Sequence, residues 1–586
     1  MKNIETPDKK HLDAIIHDLS EGKYAIPDFQ RDFEWNPWDV NELLKSIFEN
    51  YYIGTLLLWR ASKENIDYLS CQPIYGFNKE ARIEHIVLDG QQRLSALYYA
   101  FFAPDKPFPN RKSKYYYFIK IDQMLAGNYD QAFIYQYESN SIKKLLSNEE
   151  SQFEQKLFPL KFFGDRGHIW LKWLEKYEKY WQNKLFSDAT SEREKIEEIF
   201  SSIKNEYYIS YIELDREIEV EKVCDIFTRI NSTGLDLSIF DLMNALLRPK
   251  EIHLKKLWQE NSNKFELPDP DKGKIYVLQT MSILKQTYCA PKFLYYLIPG
   301  ASKPIKLENG KLDKTILIQD QDEFFGLWSQ SVEKMLNSLK IISNHSDLGA
   351  INPNLIPYPS MLPIFTALNV EKENPVYQDR KTIEEKIRTW YWSSIFTKNY
   401  SSAVESQIAK DFIEMKTWFL DDDKVPSVIQ DARRIVSNLD LESEENQNSS
   451  IYKAIFCILV KKGAKDFITY ELPTYTVLED HHIVPKSWGI KNNVKYINSI
   501  LNRTPISDVT NKKIMCDNLP NIYLRRMLKN SKNQKDVYEL LRTHLISEKA
   551  VEFLLKKDFG PEDFKKFLEE RKKLIMREII NLVGII

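Results

Sequence analysis

IEHIVLDGQQRLSAL, residues 83–97, decides how the first half of the chain is read. Ile86, Val87 and Leu88 run straight into Asp89-Gly90, and Leu94, Leu97, Tyr98 and Phe101 then recur at three- and four-residue spacing. That change of period predicts a strand, a tight turn and a helix. Gln91, Gln92 and Arg93 fall on the first helical turn, where backbone N–H groups lack acceptors and the helix dipole is positive. Amides, a guanidinium and those N–H groups together suit an anion. The segment is no Walker loop, because no G-x-x-x-x-G-K accompanies it and glycine totals only 17. The plainer alternative makes Asp89 a cap that pairs with Arg93 inside the helix.

Working outward, two further polar clusters sit at turns: IPDFQRDFEW (26–35), with Gln30 and Arg31, and FTRINSTGLDLSIFDL (227–242), with Arg229 and Asn231. If the three turns converge, their arginines add bidentate donors. Segments 55–60, 114–121 and 207–214 read as strands, and 37–49 reads as a helix opened by Pro37. Residues 251–440 are mainly helical and chemically quiet. ESEENQNSS (442–450) has no apolar residue and reads as a linker. The expected division is therefore 1–250, a helical middle region 251–440, and 451–586. The fold class is α+β and predominantly helical.

The chain has 586 residues, 43% hydrophobic and 28% charged, an ordinary globular composition for two to four domains. No apolar run approaches the ~18 residues of a membrane helix, no signal-peptide pattern opens the chain, and five scattered cysteines form no C-x-x-C pair. A cytoplasmic protein without membrane contact is expected. The net charge of −2 hides an uneven distribution: residues 481–535 carry eleven Lys and Arg against Asp508 and Asp517. Such a block attracts polyanions, although many are only solvated surface.

The same region holds an adjacent histidine pair in Glu479-Asp480-His481-His482-Ile483-Val484-Pro485, followed by Asn502 and Asn511. An imidazole suits a general base near neutral pH. Imidazole, amide oxygen and carboxylate can complete the shell of Mg²⁺ or Mn²⁺. These residues resemble the HNH (ββα-metal) nuclease family over roughly 470–530. The resemblance implies His482 as general base and Asn502 as the residue orienting its ring. His481 and Asn511 become metal ligands, with Asp480 a further candidate, and Arg503, Lys512 and Lys513 become contacts to DNA.

P-x-F-Q-R-x-F-x-W, I-G-x-x-L-L-W, L-D-G-Q-Q-R-L and F-x-R-I-N-x-x-G, in that order, resemble the N-terminal domain of GmrSD-type modification-dependent restriction proteins. That domain is similar to the ParB/sulfiredoxin fold. The resemblance implies a site for a nucleoside triphosphate (GTP, ATP or another) at Gln30, Arg31, Asp89, Gly90, Gln91, Gln92 and Arg93, with Arg229 and Asn231 added. On this reading Arg31 and Arg93 meet phosphates and Asp89 meets a metal or an ordered water. The expectation is an NTP-responsive, metal-dependent HNH endonuclease with NTPase activity, acting on DNA, modified phage DNA in particular. The alternatives are a nucleotide-dependent DNA-binding or regulatory protein with an inert HNH segment, and an RNA-directed nuclease. Oligomeric state is left open, a homo-oligomer included.

Overall fold

The computed structural model describes residues 7–27, 30, 33–164, 168–218, 222–223, 226, 239–306, 311–377, 379–471, 478–515 and 517–584. They fall into two compact units, Met1–His253 and Leu254–Ile586.

The first unit is built on a mixed six-stranded sheet. Its strands are β1 (Asp8–His11), β2 (Tyr24–Ile26), β3 (Leu56–Arg60), β4 (Gln72–Pro73), β5 (His85–Asp89) and β9 (Tyr208–Leu214), in the order β1-β9-β3-β5-β2-β4. A separate antiparallel sheet joins β6 (Tyr115–Lys120) to β7 (Phe133–Tyr137) and β8 (Leu157–Pro159). The expected strands and the helix Gln91–Phe102 thus form, each within a residue or two of its sequence boundaries. Helix Pro37–Phe48 opens with proline in its first turn and a reciprocal Asn36–Asp39 capping box. Its apolar stripe, Val40, Leu44 and Ile47, is fully buried together with Leu12, Ile15, Leu94, Leu97, Phe101 and Phe200 from three other helices. β5 runs between β3 and β2: β2 pairs with its start, at His85 and Ile86, and β3 pairs with it as far as Asp89, at the turn that follows. At its other end His85 lies 2.6 Å from Glu213 of β9, whose second oxygen meets Arg60 at 2.7 Å. Trp59 is buried, whereas Trp38 is 57% exposed.

The second unit is largely helical and carries two separate hairpins, β10 (Ser302–Lys306) with β11 (Leu312–Ile316), and β12 (Leu478–His482) with β13 (Arg503–Ser507). The helical middle region does not stand apart from the C-terminal part. Ser450 donates to Tyr358, Lys461 donates to the carbonyl of Asp347 at 2.7 Å, and helix Arg380–Phe396 packs on helix Pro561–Leu582. Nor is 442–450 a linker. Glu442 pairs with Lys572 at 3.3 Å, the carbonyl of Glu444 accepts from Ile500, and Gln447 donates to Asp480. The polar residues that imitate a linker are spent on hydrogen bonds to the β12–β13 hairpin and its surroundings. Among the described residues no helix is long and apolar enough to cross a membrane.

A buried guanidinium ties this unit together. Arg571, fully buried, donates to the carbonyls of Leu501 and Arg503 at 2.7 Å and to that of His544. Among the described residues no carboxylate forms an ion pair with it, and burial, only partly offset by Tyr523 and the charge of Asp480, draws its pKa down to about 9. His544 is itself buried between Thr504 Oγ1, 2.5 Å from Nδ1, and the carbonyl of Lys465, 2.7 Å from Nε2. A carbonyl can only accept, so Nε2 carries the proton and neutral Nδ1 accepts from Thr504. Burial lowers the His544 pKa from 6.5 to about 3. An unfolded His544 therefore takes up a proton that the folded one refuses. Its contribution is complete above pH 6.5 and is lost as pH falls toward about 3, at a slope of no more than about 1.4 kcal/mol per pH unit. The urea midpoint of the C-terminal unit should fall steadily on acidification below pH 6.5, and His544→Gln should lower the midpoint at neutral pH but flatten that decline.

Candidate functional site

The Asp89–Arg93 turn is a strand end locked onto a helix start. Gly90, at φ 95°, is the helix N-cap, and a Cβ there would lie 2.3 Å from Leu56 Cδ2. Arg93 follows Asp89 by one helical turn and its Nη2 sits 3.0 Å from Oδ2 of that carboxylate. The same Nη2 donates to the carbonyl of Thr55 at 3.0 Å, and Nη1 donates to that of Ile53 at 2.9 Å. Between them Gly54, at φ 92°, leaves the space the guanidinium fills, since a Cβ would come within 2.4 Å of Nη1. Arg93 is thus a fork holding the 53–55 loop against the turn. The plainer of the two sequence readings describes its pairing with Asp89, and its fork faces protein acceptors where a phosphate contact was expected.

The two glutamines act differently. Gln92 Oε1 accepts from the backbone N–H of Glu34 at 3.0 Å and of Trp35 at 3.3 Å, tying the 26–35 loop to the helix. Gln91 and Gln30 line a cleft of about 520 Å³ together with Phe33, Tyr75, Phe77 and Lys106. Gln30 donates through Nε2 to the carbonyl of Val87, while its buried Oε1 has no hydrogen-bond partner among the described residues. Lys106 Nζ stands 4.0 Å over the Tyr75 ring. An amide with an unsatisfied acceptor, aromatic walls and one ammonium suit a small polar ligand with a flat ring. Arg31, Arg229 and Asn231 lie outside the described residues.

In the second unit His482 ends β12, directly across from Arg503, and His481 faces Thr504. His482 is the last residue of β12, where the strand's alternation of side chains ends, and its ring lies within electrostatic reach of His481. Asn502 is fully buried. Its Oδ1 accepts from Val484 N, and its Nδ2 donates to the carbonyls of Val484 and Ile497, all at 2.9 Å. The Ile483 N–H donates to the Asn502 carbonyl at 2.8 Å. Asn502 therefore closes the neck of the 483–502 loop and does not touch the ring of His482. The ring's partner is Asn498, whose Oδ1 lies 3.1 Å from Nε2. An amide oxygen only accepts, so Nε2 holds the proton and Nδ1 presents a lone pair. Burial first, and then the positive Arg503, lower the His482 pKa to about 4, which keeps the ring neutral at physiological pH.

Asn511 begins a π-helical turn, Asn511–Met515, a distortion frequent at functional sites. The residues before it are pinned by buried Asp466, which accepts from Ser507 Oγ at 2.6 Å and Thr510 Oγ1 at 2.5 Å. Asp480 is taken up elsewhere: Oδ2 accepts from Tyr452 and Gln447, and Oδ1 lies 3.6 Å from Arg503. Arg503 corrects the sequence reading, because it is buried and bonded to the Asp480 carbonyl, out of reach of a surface phosphate. Lys512 is exposed, and the side chain of Lys513 lies outside those described.

Residues 12–248 match the family model for the GmrSD restriction endonuclease, N-terminal domain. Over its whole length the chain is 31% identical to the uncharacterized protein MJ0686 of Methanocaldococcus jannaschii, covering 98% of this chain and 99% of that one. The chain belongs to the GmrSD-type family. The matched span of this GmrSD-type chain coincides almost entirely with its first compact unit, and it includes Gln30 and the whole Asp89–Arg93 turn.

Three residues of this GmrSD-type protein escaped the sequence reading. Tyr75 and Lys106 join the cleft from loops with no motif, and Asn498 precedes Asn502 by a spacing that marks nothing by itself. For a divalent ion, His481 and Asn511, both half-buried, offer one imidazole and one amide oxygen. Both are donor types that Mg²⁺ or Mn²⁺ accepts beside water, and no group of three His, Cys, Asp or Glu that could hold a metal occurs among the described residues. The Arg93 fork gives a direct test of stability. Arg93→Lys loses the bidentate geometry and should destabilise the N-terminal unit by about 2–3 kcal/mol. Gly54→Ala, strained at its positive φ, should cost at least about 1 kcal/mol in the same urea titration.

Proposed function

We propose that this GmrSD-type chain is a metal-dependent DNA endonuclease of modification-dependent, anti-phage restriction, with a nucleotide site in the first unit and an HNH cutter in the second. The observation that supports it best is the pairing, in one chain, of a matched restriction N-terminal domain with a histidine whose Nδ1 is freed by Asn498 beside a loop closed by Asn502. The membership makes DNA the natural substrate.

His482 Nδ1 would take a proton from the attacking water. The water oxygen forms a bond to phosphorus as the bond from phosphorus to the ribose oxygen breaks. Asn498 holds the ring in the tautomer that makes Nδ1 the base. A divalent ion at His481 and Asn511 would, when bound, neutralise charge on the phosphate and on the departing oxygen. Lys512 and the basic surface that continues to Lys535 would hold the DNA backbone. In the first unit the nucleoside triphosphate would set its ring in the Tyr75–Phe77 cleft, with Gln30 and Gln91 on ring polar atoms. Lys106 and the N–H groups at the start of helix Gln91–Phe102 would face its phosphates. Arg93 is given a positioning role here, fixing the turn that presents those N–H groups.

Nicking of supercoiled plasmid with Mg²⁺ or Mn²⁺, on modified and unmodified phage DNA with and without each NTP, tests this reading. His482→Ala should lose at least about 100-fold in rate. Asn498→Ala should lower the rate constant by about tenfold at unchanged metal requirement, and Asn498→Asp, which still accepts from Nε2, should restore most of it. A wild-type protein that cuts no DNA under any of these conditions would leave a binding or regulatory protein as the better description.

A further inference from the structure

We propose that the β10–β11 ribbon is a second DNA-contacting element, an arm that lies against the phosphate backbone of duplex DNA. This rests on DNA being the substrate. The two strands pair only with each other, in the register Ser302↔Ile316, Pro304↔Lys314 and Lys306↔Leu312. Those six residues share one face and every one of them is exposed, whereas Lys303, Ile305 and Thr315 on the other face are half-buried. One side of the ribbon is partly covered, except at exposed Asp313, and the other is left entirely to solvent.

The solvent face is chemically unbalanced. It carries Lys306 and Lys314 and no acid, and neither lysine forms an ion pair among the described residues. Lysines on nearby helices of the same unit are matched: Lys285 with Glu323 at 2.5 Å, Lys334 with Glu373 at 2.8 Å, Lys372 with Glu384 at 2.8 Å. Over 302–316 the sequence sets four lysines, Lys303, Lys306, Lys311 and Lys314, against Glu308 and Asp313, a net charge of +2. Leu312, at 81% exposure, stands on the same face next to Lys306. Lysine and proline commonly guard sheet edges against aggregation. A leucine displayed between two such lysines works against that purpose and favours a surface that meets something.

Geometry and charge fit a duplex. Diagonal neighbours such as Lys306 and Lys314 lie roughly 7–8 Å apart, about the axial span of two phosphates on one strand at ~3.4 Å each. A two-stranded ribbon also fits the major groove, about 12 Å wide, where an apolar side chain can meet a thymine methyl.

The test is fluorescence anisotropy of the full chain on a short unmodified duplex in EDTA, across a salt series. Lys306→Gln/Lys314→Gln should reduce the slope of log K against log salt by roughly 0.9 per lost contact, close to 2 in all, and weaken binding roughly tenfold or more at physiological salt. Lys314→Gln alone should give about half the slope change, and Lys334→Gln, from a matched helix pair, should give none. A doubly substituted chain that melts like wild type and binds with the wild-type slope and affinity overturns the arm alone. A wild-type chain with no salt-dependent duplex binding overturns the DNA reading and the arm with it.

Discussion

The chemistry assigned to the second unit depends on one buried amide. Asn502 saturates its side chain on Val484 and Ile497 and so fixes both ends of a twenty-residue loop at the mouth of the β12–β13 hairpin. A fully satisfied buried amide is rigid because any movement leaves polar groups unpaired at about 1–3 kcal/mol each. With the neck fixed, Asn498 inside the loop reaches Nε2 of His482 and settles which nitrogen is basic. Neither asparagine needs to meet the reacting atoms for the histidine to be set.

Both units use an arginine as a clamp in the same way. Arg93 and Arg571 spend their guanidinium groups on backbone carbonyls, the one joining a loop to a helix start, the other joining the hairpin to two helices. The five donors of a guanidinium can satisfy carbonyls that no regular ladder reaches. Arg503, paired with Asp480 beneath His482, adds a third case, and its charge helps to keep the imidazole neutral. The guanidinium groups near these sites thus serve first to hold the framework, which leaves exposed lysines and backbone N–H groups as the candidates for contact with anions.

Much of the fold was legible in the sequence because it depends on local period. The change from a run of Ile86, Val87 and Leu88 to helical spacing after Gly90 marks both β5 and its helix, and the capping residues around Pro37 mark another. The family of the first unit was legible by motif, and the match over residues 12–248 supports that part of the reading. What a local pattern cannot carry is the partner. Arg93 reaches carbonyls some forty residues away, Gln447 reaches Asp480, and Arg503 turns inward, each decided by packing between distant segments. The polar run 442–450 shows the same limit: a composition without apolar residues describes a free linker and a hydrogen-bonded strap equally well.

The central claim is that His481 and Asn511 converge on a divalent ion beside His482. Anomalous diffraction from crystals of the full chain grown with Mn²⁺ tests it most directly. The predicted result is a single strong peak roughly 2.0–2.3 Å from an imidazole nitrogen of His481 and from Oδ1 of Asn511, with the remaining ligands water. Well-ordered crystals with manganese bound elsewhere, or with those two side chains turned away from each other, would contradict it.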